Sequence, residues 1–453
     1  MNTTQNTTDN PLAAGNINQL MIKFAVPSII AMMVSAVYNI ADQLFIGNAV
    51  GTLGNAATNI AFPLSMMCTA IALMFGIGGA SSFNLHMGAG ESQKAPYFLG
   101  NSITMLLGLG AILFIGTELF LDPMLKCFGS PDNVLPLAKQ YVSITAIGFP
   151  FLIITIGGGH LIRADGSPKM TMICNLSGAI INIVLDALFV LVLRWGMVGA
   201  ALATIISQAL SCAWVLNFLT GKKSYLKIRR CNMKLQKNII LPSLALGLST
   251  FIMQASESII SVCFNSSLLK YGGDLAVGAM TILTSAMQFA MLPLQGLGQG
   301  AQPIISYNFG AGQTKRVKDS FKLLLKIDLS YSTFMWLLVM LFPAGFASIF
   351  TSDQALLTFT AHALRIYMAS ILLFGIQMAC QMTFTSIGNA KASIIVAVTR
   401  KFILLLPLIY IMPHIFTADQ TSAVYMAEPI ADFLAICFTS ILFRFEFKKA
   451  LAR

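Results

Sequence analysis

Four carboxylates, Asp42, Asp186, Glu257 and Asp432, stand inside apolar runs of the chain. Burying a charge in such a setting costs about 2.5–3.5 kcal/mol on insertion scales, so each is a functional candidate by default. Tyr38 and Asn39 precede Asp42, and Asn182 precedes Asp186, at spacings of three or four residues that put them on one helix face. A carboxyl group removed from water favours its neutral form. It can therefore take up a proton in one conformation and release it when water or a cation arrives, which is the basic requirement for coupling transport to an ion. The alternative for Asp42 and Asp186 is a polar knot between helices.

Gln254, Glu257 and Ser261 form a further polar face. Glu257 follows Asp42 by the same interval that separates Pro242 from Pro27, which makes the two acids counterparts in two halves of the chain. Asp432 follows Glu428 by one turn with Pro429 between them, and reads either as a vestibule group or as a structural one.

The elements that must position these residues are membrane helices. The 453 residues are 56% hydrophobic and 10% charged, with a mean hydropathy of +0.77, whereas soluble chains are about a quarter charged. Long uncharged runs suit helices of roughly 20 residues, and the alternating ten-residue segments of a barrel are missing. The expected class is an all-α polytopic membrane protein with twelve spans, near 18–46, 57–85, 96–121, 136–160, 170–193, 198–219, 239–269, 276–305, 319–343, 360–386, 392–415 and 421–444.

A basic strap, 221–237, divides the spans six and six, so the expected organisation is a disordered tail at 1–17, an N-lobe at 18–220, the linker, and a C-lobe at 238–453. With that strap cytoplasmic, 23 of the 28 Lys and Arg residues fall on its side, Arg400 and Lys401 among them. Both termini are then cytoplasmic, in a cell membrane. The net charge of +11 belongs to these loops and does not imply a nucleic-acid partner.

An internal repeat supports two lobes. Gly88-Ala89-Gly90 recurs as Gly310-Ala311-Gly312, and Gly166-Ser167-Pro168-Lys169 as Gly388-Asn389-Ala390-Lys391, at one common offset. Even numbers of spans leave the copies in the same orientation, with a cleft between them. Prolines 63, 150, 293, 303, 407 and 413 can bend spans, and 25 Met with 32 Phe can line an adaptable cavity.

The eight cysteines include no CxxC pair and read as core residues, and the four histidines lack ligand spacing. Gly221-Lys222-Lys223-Ser224 lacks the upstream glycine of a phosphate loop, and Gly296-Leu297-Gly298-Gln299-Gly300 has no strand before it. An enzyme is not expected, nor a cofactor or bound metal, and with nothing to draw on ATP any transport must be coupled to an ion gradient or be passive.

The stretch VPSIIAMMVSAVYNIADQLFIG, the NIVLDALFV of the fifth span, WGMVGAALATIISQ and the two GAG loops together resemble the multidrug and toxic compound extrusion (MATE) family, in its MepA-like bacterial branch. The resemblance implies an antiporter that exports bulky organic cations in exchange for protons or sodium, a monomer in contact with membrane lipids. It also implies an ion-coupling cluster of Tyr38, Asp42, Asn182, Asp186 and Thr204, without the fourth-span asparagine of some members. Glu257 resembles a seventh-helix glutamate of sodium-coupled members. The tenth span has no matching carboxylate, so Glu257, with Asn39, Gln254 and Ser261, is assigned to the cationic substrate. The competing reading is a flippase for lipid-linked oligosaccharides, which should place Arg or Lys in the cleft where these spans show acids. An intramembrane enzyme is a remote third.

Overall fold

The computed structural model describes residues 11–221, 224 and 228–452. Among them there is helix and no strand. We number the membrane helices α1 (Ile17–Val50), α2 (Thr52–Gly88), α3 (Ala95–Leu119), α4 (Leu135–Ile147 with Phe149–Ala164), α5 (Pro168–Val192) and α6 (Gly196–Thr220). The second half continues with α7 (237–272) and α8 (274–310), then α9 (Thr314–Leu341), α10 (Gln354–Tyr367 with Ile371–Ser386), α11 (Ala390–Ile415) and α12 (Gln420–Leu451).

Two of these divisions have a physical basis. The continuous helix Lys237–Gly310 has 74 residues, and at 1.5 Å per residue it would run about 110 Å, several times the roughly 30 Å of a bilayer core. The chain turns at Gly273, whose φ of 65° suits glycine and leaves non-helical backbone between two spans. The helices α4 and α10 are each bent, by 53° and 49°, between their two segments. Twelve spans result among the described residues, in two lobes.

The lobes meet through the ends nearest the linker, and glycine makes the approach possible. Gly247 of α7 lies on the backbone of Met74 in α2, and Gly78 of α2 lies on the backbone of Ser243 in α7. The repeat partners Gly88 and Gly310 do the same, one against Tyr307 and the other against Leu85. Gly296 and Gly300, set aside above for want of a strand, press on Ile29 and Ala25 of α1. Gln302 of α8 adds hydrogen bonds across the seam to the Ile77 carbonyl (3.1 Å) and Ser81 Oγ (2.6 Å).

The cores cross the lobe boundary at the first helix of each half. Leu20, Met21, Phe24 and Ala25 of α1 pack with Ala301, Ile304, Phe384 and Phe443 of the C-lobe, while Ile46 at the far end belongs to the N-lobe core. Conversely Ile239 of α7 is buried in the N-lobe core, and Phe264 and Leu268 in the C-lobe core.

Of the expected tail 1–17, residues 1–10 lie outside the described ones, but Pro11–Ala14 is helical. Arg316 and Asn308 hold this segment by donating to the Leu12 carbonyl at 3.1 Å each, and Arg316 reaches the Gly15 carbonyl at 2.8 Å. An ordered, docked segment therefore replaces disorder there. In the linker, Asn101 of α3 binds the carbonyls of Asn232 and Lys234 and accepts from the Gln236 amide, so the described part of the strap is fastened to the N-lobe.

Candidate functional site

The helices α1 and α5 pack along one another, and their shared face carries the N-lobe acids. Asp42 is 8% exposed, Asp186 0% and Asn182 1%. The two carboxyl groups are near enough to interact directly, and Tyr38 of α1 and Tyr141 of α4 lie within their field. Yet Asp42 Oδ1, both oxygens of Asp186, and both polar atoms of the Asn182 side chain have no hydrogen-bond partner. None of the ion pairs among the described residues reaches either acid. Asn182 is therefore a neighbour at the same depth but not a hydrogen-bonded companion.

Asp186 stands where α5 passes into the π-helical turn Ala187–Val192. Such wide turns recur at functional sites because they loosen the backbone ladder. Thr204 lines a small cavity of about 40 Å³ with Ser65, Tyr141, Thr145 and Gln208, and Tyr141 connects that cavity to the carboxylates. The space suits one to a few waters. Sequence reasoning missed Tyr141, because a lone tyrosine in the bent α4 has no carboxylate beside it in the chain.

Unpaired carboxylates side by side in a dry interior repel, and each lacks the donors that would replace water. The arrangement is stable when a proton or small cation joins them, and strained when both are bare.

The acids of α7 and α12 in the C-lobe follow the opposite principle. Arg400 donates to Asp432 Oδ1 at 2.7 Å and Glu428 Oε1 at 3.3 Å, Ser370 donates to Asp432 at 3.1 Å, and Lys401 meets Glu257 at 2.7 Å. Arg400 also lies over the Phe374 ring, 4.7 Å from its centre. Arg400 and Lys401, expected in a loop, are thus buried inside α11, in its π-helical turn Thr399–Leu405. The physical reason is that three acids from α7 and α12 compensate them. Asp432 is a buried structural ion-pair member and not a vestibule group.

Glu257, expected to await a substrate, already has a partner. It is nevertheless half exposed, as is the face it shares with Ser261. That face points toward the N-lobe, because Gln254 one turn earlier contacts Met66 Sδ of α2 at 3.1 Å. Asn39 of α1 is exposed as well. Gln254, and with it the helix face of Glu257 and Ser261, therefore borders α2 of the other lobe.

Asp328 of α9 is a further membrane carboxylate, one that sequence reasoning passed over. It is fully buried against Gly375 of α10, without a hydrogen-bond partner for either oxygen.

Against known proteins, the MatE family pattern matches residues 27–188 and 249–411, one copy in each lobe. The chain belongs to the MATE family. Among MATE relatives, the multidrug export protein MepA of Staphylococcus haemolyticus is 26% identical over 423 residues, covering 93% of each chain. MepA of Staphylococcus aureus is 26% identical with 87% of each covered. A solved MATE multidrug transporter, DinF-BH in a ligand complex, is 33% identical over 94% of each chain with a TM-score of 0.87. The fold also matches an outward-facing MATE transporter of the MOP superfamily, with a TM-score of 0.91 at 24% identity over 97% of this chain and 98% of that one. This MATE chain is accordingly a multi-pass membrane transporter.

Proposed function

We propose that the protein is an ion-coupled exporter of bulky organic cations that works by alternating access in the cell membrane. The observation that carries this reading is the buried Asp42–Asp186 pair, to which no ion pair among the described residues brings a cation, while Glu257, Glu428 and Asp432 of the C-lobe have theirs. Exchange follows from that contrast. Binding of a proton or sodium ion by Asp42 and Asp186 joins α1 to α5, and release of the ion separates them. Because α1 also packs against the C-lobe, the state of the pair reaches the lobe interface. Tyr38, Asn182 and Thr204 complete the ion site, and Glu257 with Asn39, Gln254 and Ser261 offers the cleft a carboxylate and polar contacts for a cation.

With the basic linker and both termini in the cytoplasm, the glycine seam closes the inner side and the cleft opens outward. The multidrug export named for the MepA relatives, and the multidrug transport named for DinF-BH, support organic substrates. The protein is read as acting as a monomer. A flippase for anionic headgroups would need cations free to meet phosphate, and Arg400 and Lys401 are both engaged by carboxylates.

The test uses purified protein in liposomes, following ethidium under an imposed pH or sodium gradient. One gradient is expected to drive uptake, and Asp186→Asn is expected to abolish that response. Movement under neither gradient, or coupling by Asp186→Asn equal to the parent, overturns the reading.

A further inference from the structure

The pair between Lys401 and Glu257 is lopsided. The lysine side chain is 3% exposed and the glutamate 51%, so the anion faces the cleft while its partner is sealed behind it in α11. Lysine at this depth is costly unless a carboxylate stays beside it. The adjacent Arg400 is committed to α12, where it holds Asp432 closely and Glu428 more loosely, at 2.7 and 3.3 Å. Glu428 is buried and lies in the field of Lys401 as well as Arg400. Lys401 thus pairs with an acid open to the cleft, while a second acid, Glu428, is enclosed and held by the neighbouring Arg400 at 3.3 Å.

We propose that Lys401 is a built-in rival of the transported cation, occupying Glu257 while the cleft is empty and yielding it to substrate by turning toward Glu428. This rests on the reading of the protein as a carrier of organic cations, and assigns Lys401 a specificity-determining role within it. A cation arriving at Glu257 must displace the ammonium group and then remain near it. Singly charged substrates are therefore held more weakly than the bare carboxylate would hold them. Glu428 keeps the displaced lysine neutralised, so the exchange never leaves a bare charge in the membrane interior.

The experiment measures ethidium binding to the purified full chain by fluorescence polarisation. Lys401→Met should bind about tenfold more tightly than the parent, an estimate for losing one like charge near a partly wet site. Glu257→Gln combined with Lys401→Met, which removes the pair as a unit, should lose that gain. Glu428→Gln, which removes the lysine's second partner, should weaken binding severalfold, and it carries the test if Lys401→Met does not purify as a monodisperse protein. If the parent binds ethidium while Lys401→Met binds no more tightly, or Glu428→Gln binds as the parent does, the rivalry is refuted and the carrier reading stands. If neither the parent nor Lys401→Met binds an organic cation, the carrier reading falls and takes the inference with it.

Discussion

Replacing Gly247 by alanine should loosen the seam that closes the cleft at the linker end. A Cβ built on Gly247 would lie 2.7 Å from Met74 Cα, with the Met74 carbonyl carbon and oxygen nearer still. Carbon atoms pack best at about 3.5–4.0 Å, and because the carbonyl oxygen is nearest of all, α7 and α2 must part by more than about 1 Å. Every atom in the way is backbone, and no rotamer change relieves the clash. Overpacking of this kind costs about 1–3 kcal/mol, equivalent to a roughly 5- to 150-fold shift between conformations.

The cost falls only on the state in which the seam is closed. The shift can be read from spin labels at Gln93 and Lys315, exposed positions in the flanks of the two GAG loops, in a chain whose eight native cysteines have been replaced. The parent should give one short distance, and Gly247→Ala a second, longer component. Gly108→Ala serves as control, since nothing lies within 4 Å of a Cβ there. A folded Gly247→Ala protein with the parent's distance distribution would refute the claim that backbone contact at this glycine holds the lobes together.

Further expectations follow from the buried charges and caps. Arg400→Met should destabilise the protein by about 3–5 kcal/mol in thermal unfolding, because it leaves Glu428 and Asp432 buried without their cation; adding Glu428→Gln and Asp432→Asn should recover most of that loss. Asp328→Asn replaces a buried carboxyl group that no donor satisfies, so its melting temperature should equal or exceed the parent's, and a marked fall would reveal a partner for the Asp328 carboxyl. Asp419 caps α12 by accepting from the Ser422 amide at 2.9 Å, so Asp419→Ala should cost about 1 kcal/mol. Hydrogen bonding by the Ser422 side chain, and next by its amide, holds the Asp419 carboxyl below its ordinary value of 3.8, so the cap is fully present above this pH. Its contribution should fade as pH falls below that value, which unfolding at graded acidity would show.

The fold was legible because burial in lipid leaves a coarse record. Uncharged runs, a basic strap at the midpoint and glycine loops repeated at one offset are sufficient for two six-helix lobes. Asp42 and Asp186 were legible for the same reason, since a lone acid among Ile, Val and Leu needs an explanation. Arg400 and Lys401 were misplaced because they lie within ten residues of Lys391 at a loop, where an excess of positive charge is the ordinary expectation. Only their partners on α7 and α12, distant in the chain, distinguish them from loop residues.

Asp328 was obscured by the run of charges from Lys315 to Lys326 that begins the same helix. The seam was not readable at all, because a glycine that admits a neighbouring backbone looks in sequence like a glycine that bends a span. Nor could spacing reveal that the start of α1 docks in the second lobe, since periodicity marks a buried face without naming what covers it.

That docking makes α1 a shared beam. Its foot is clamped in one half by Arg316 and the aromatic pile around Phe443, while Asp42 rides near its other end in the opposite half. The start of α7 is lent in return. Neither half can tilt as a free rigid block, because each contains part of its neighbour's framework. Motion must be taken up along these two beams, within the stretch between foot and acid, where Pro27 already removes one rung of the α1 ladder.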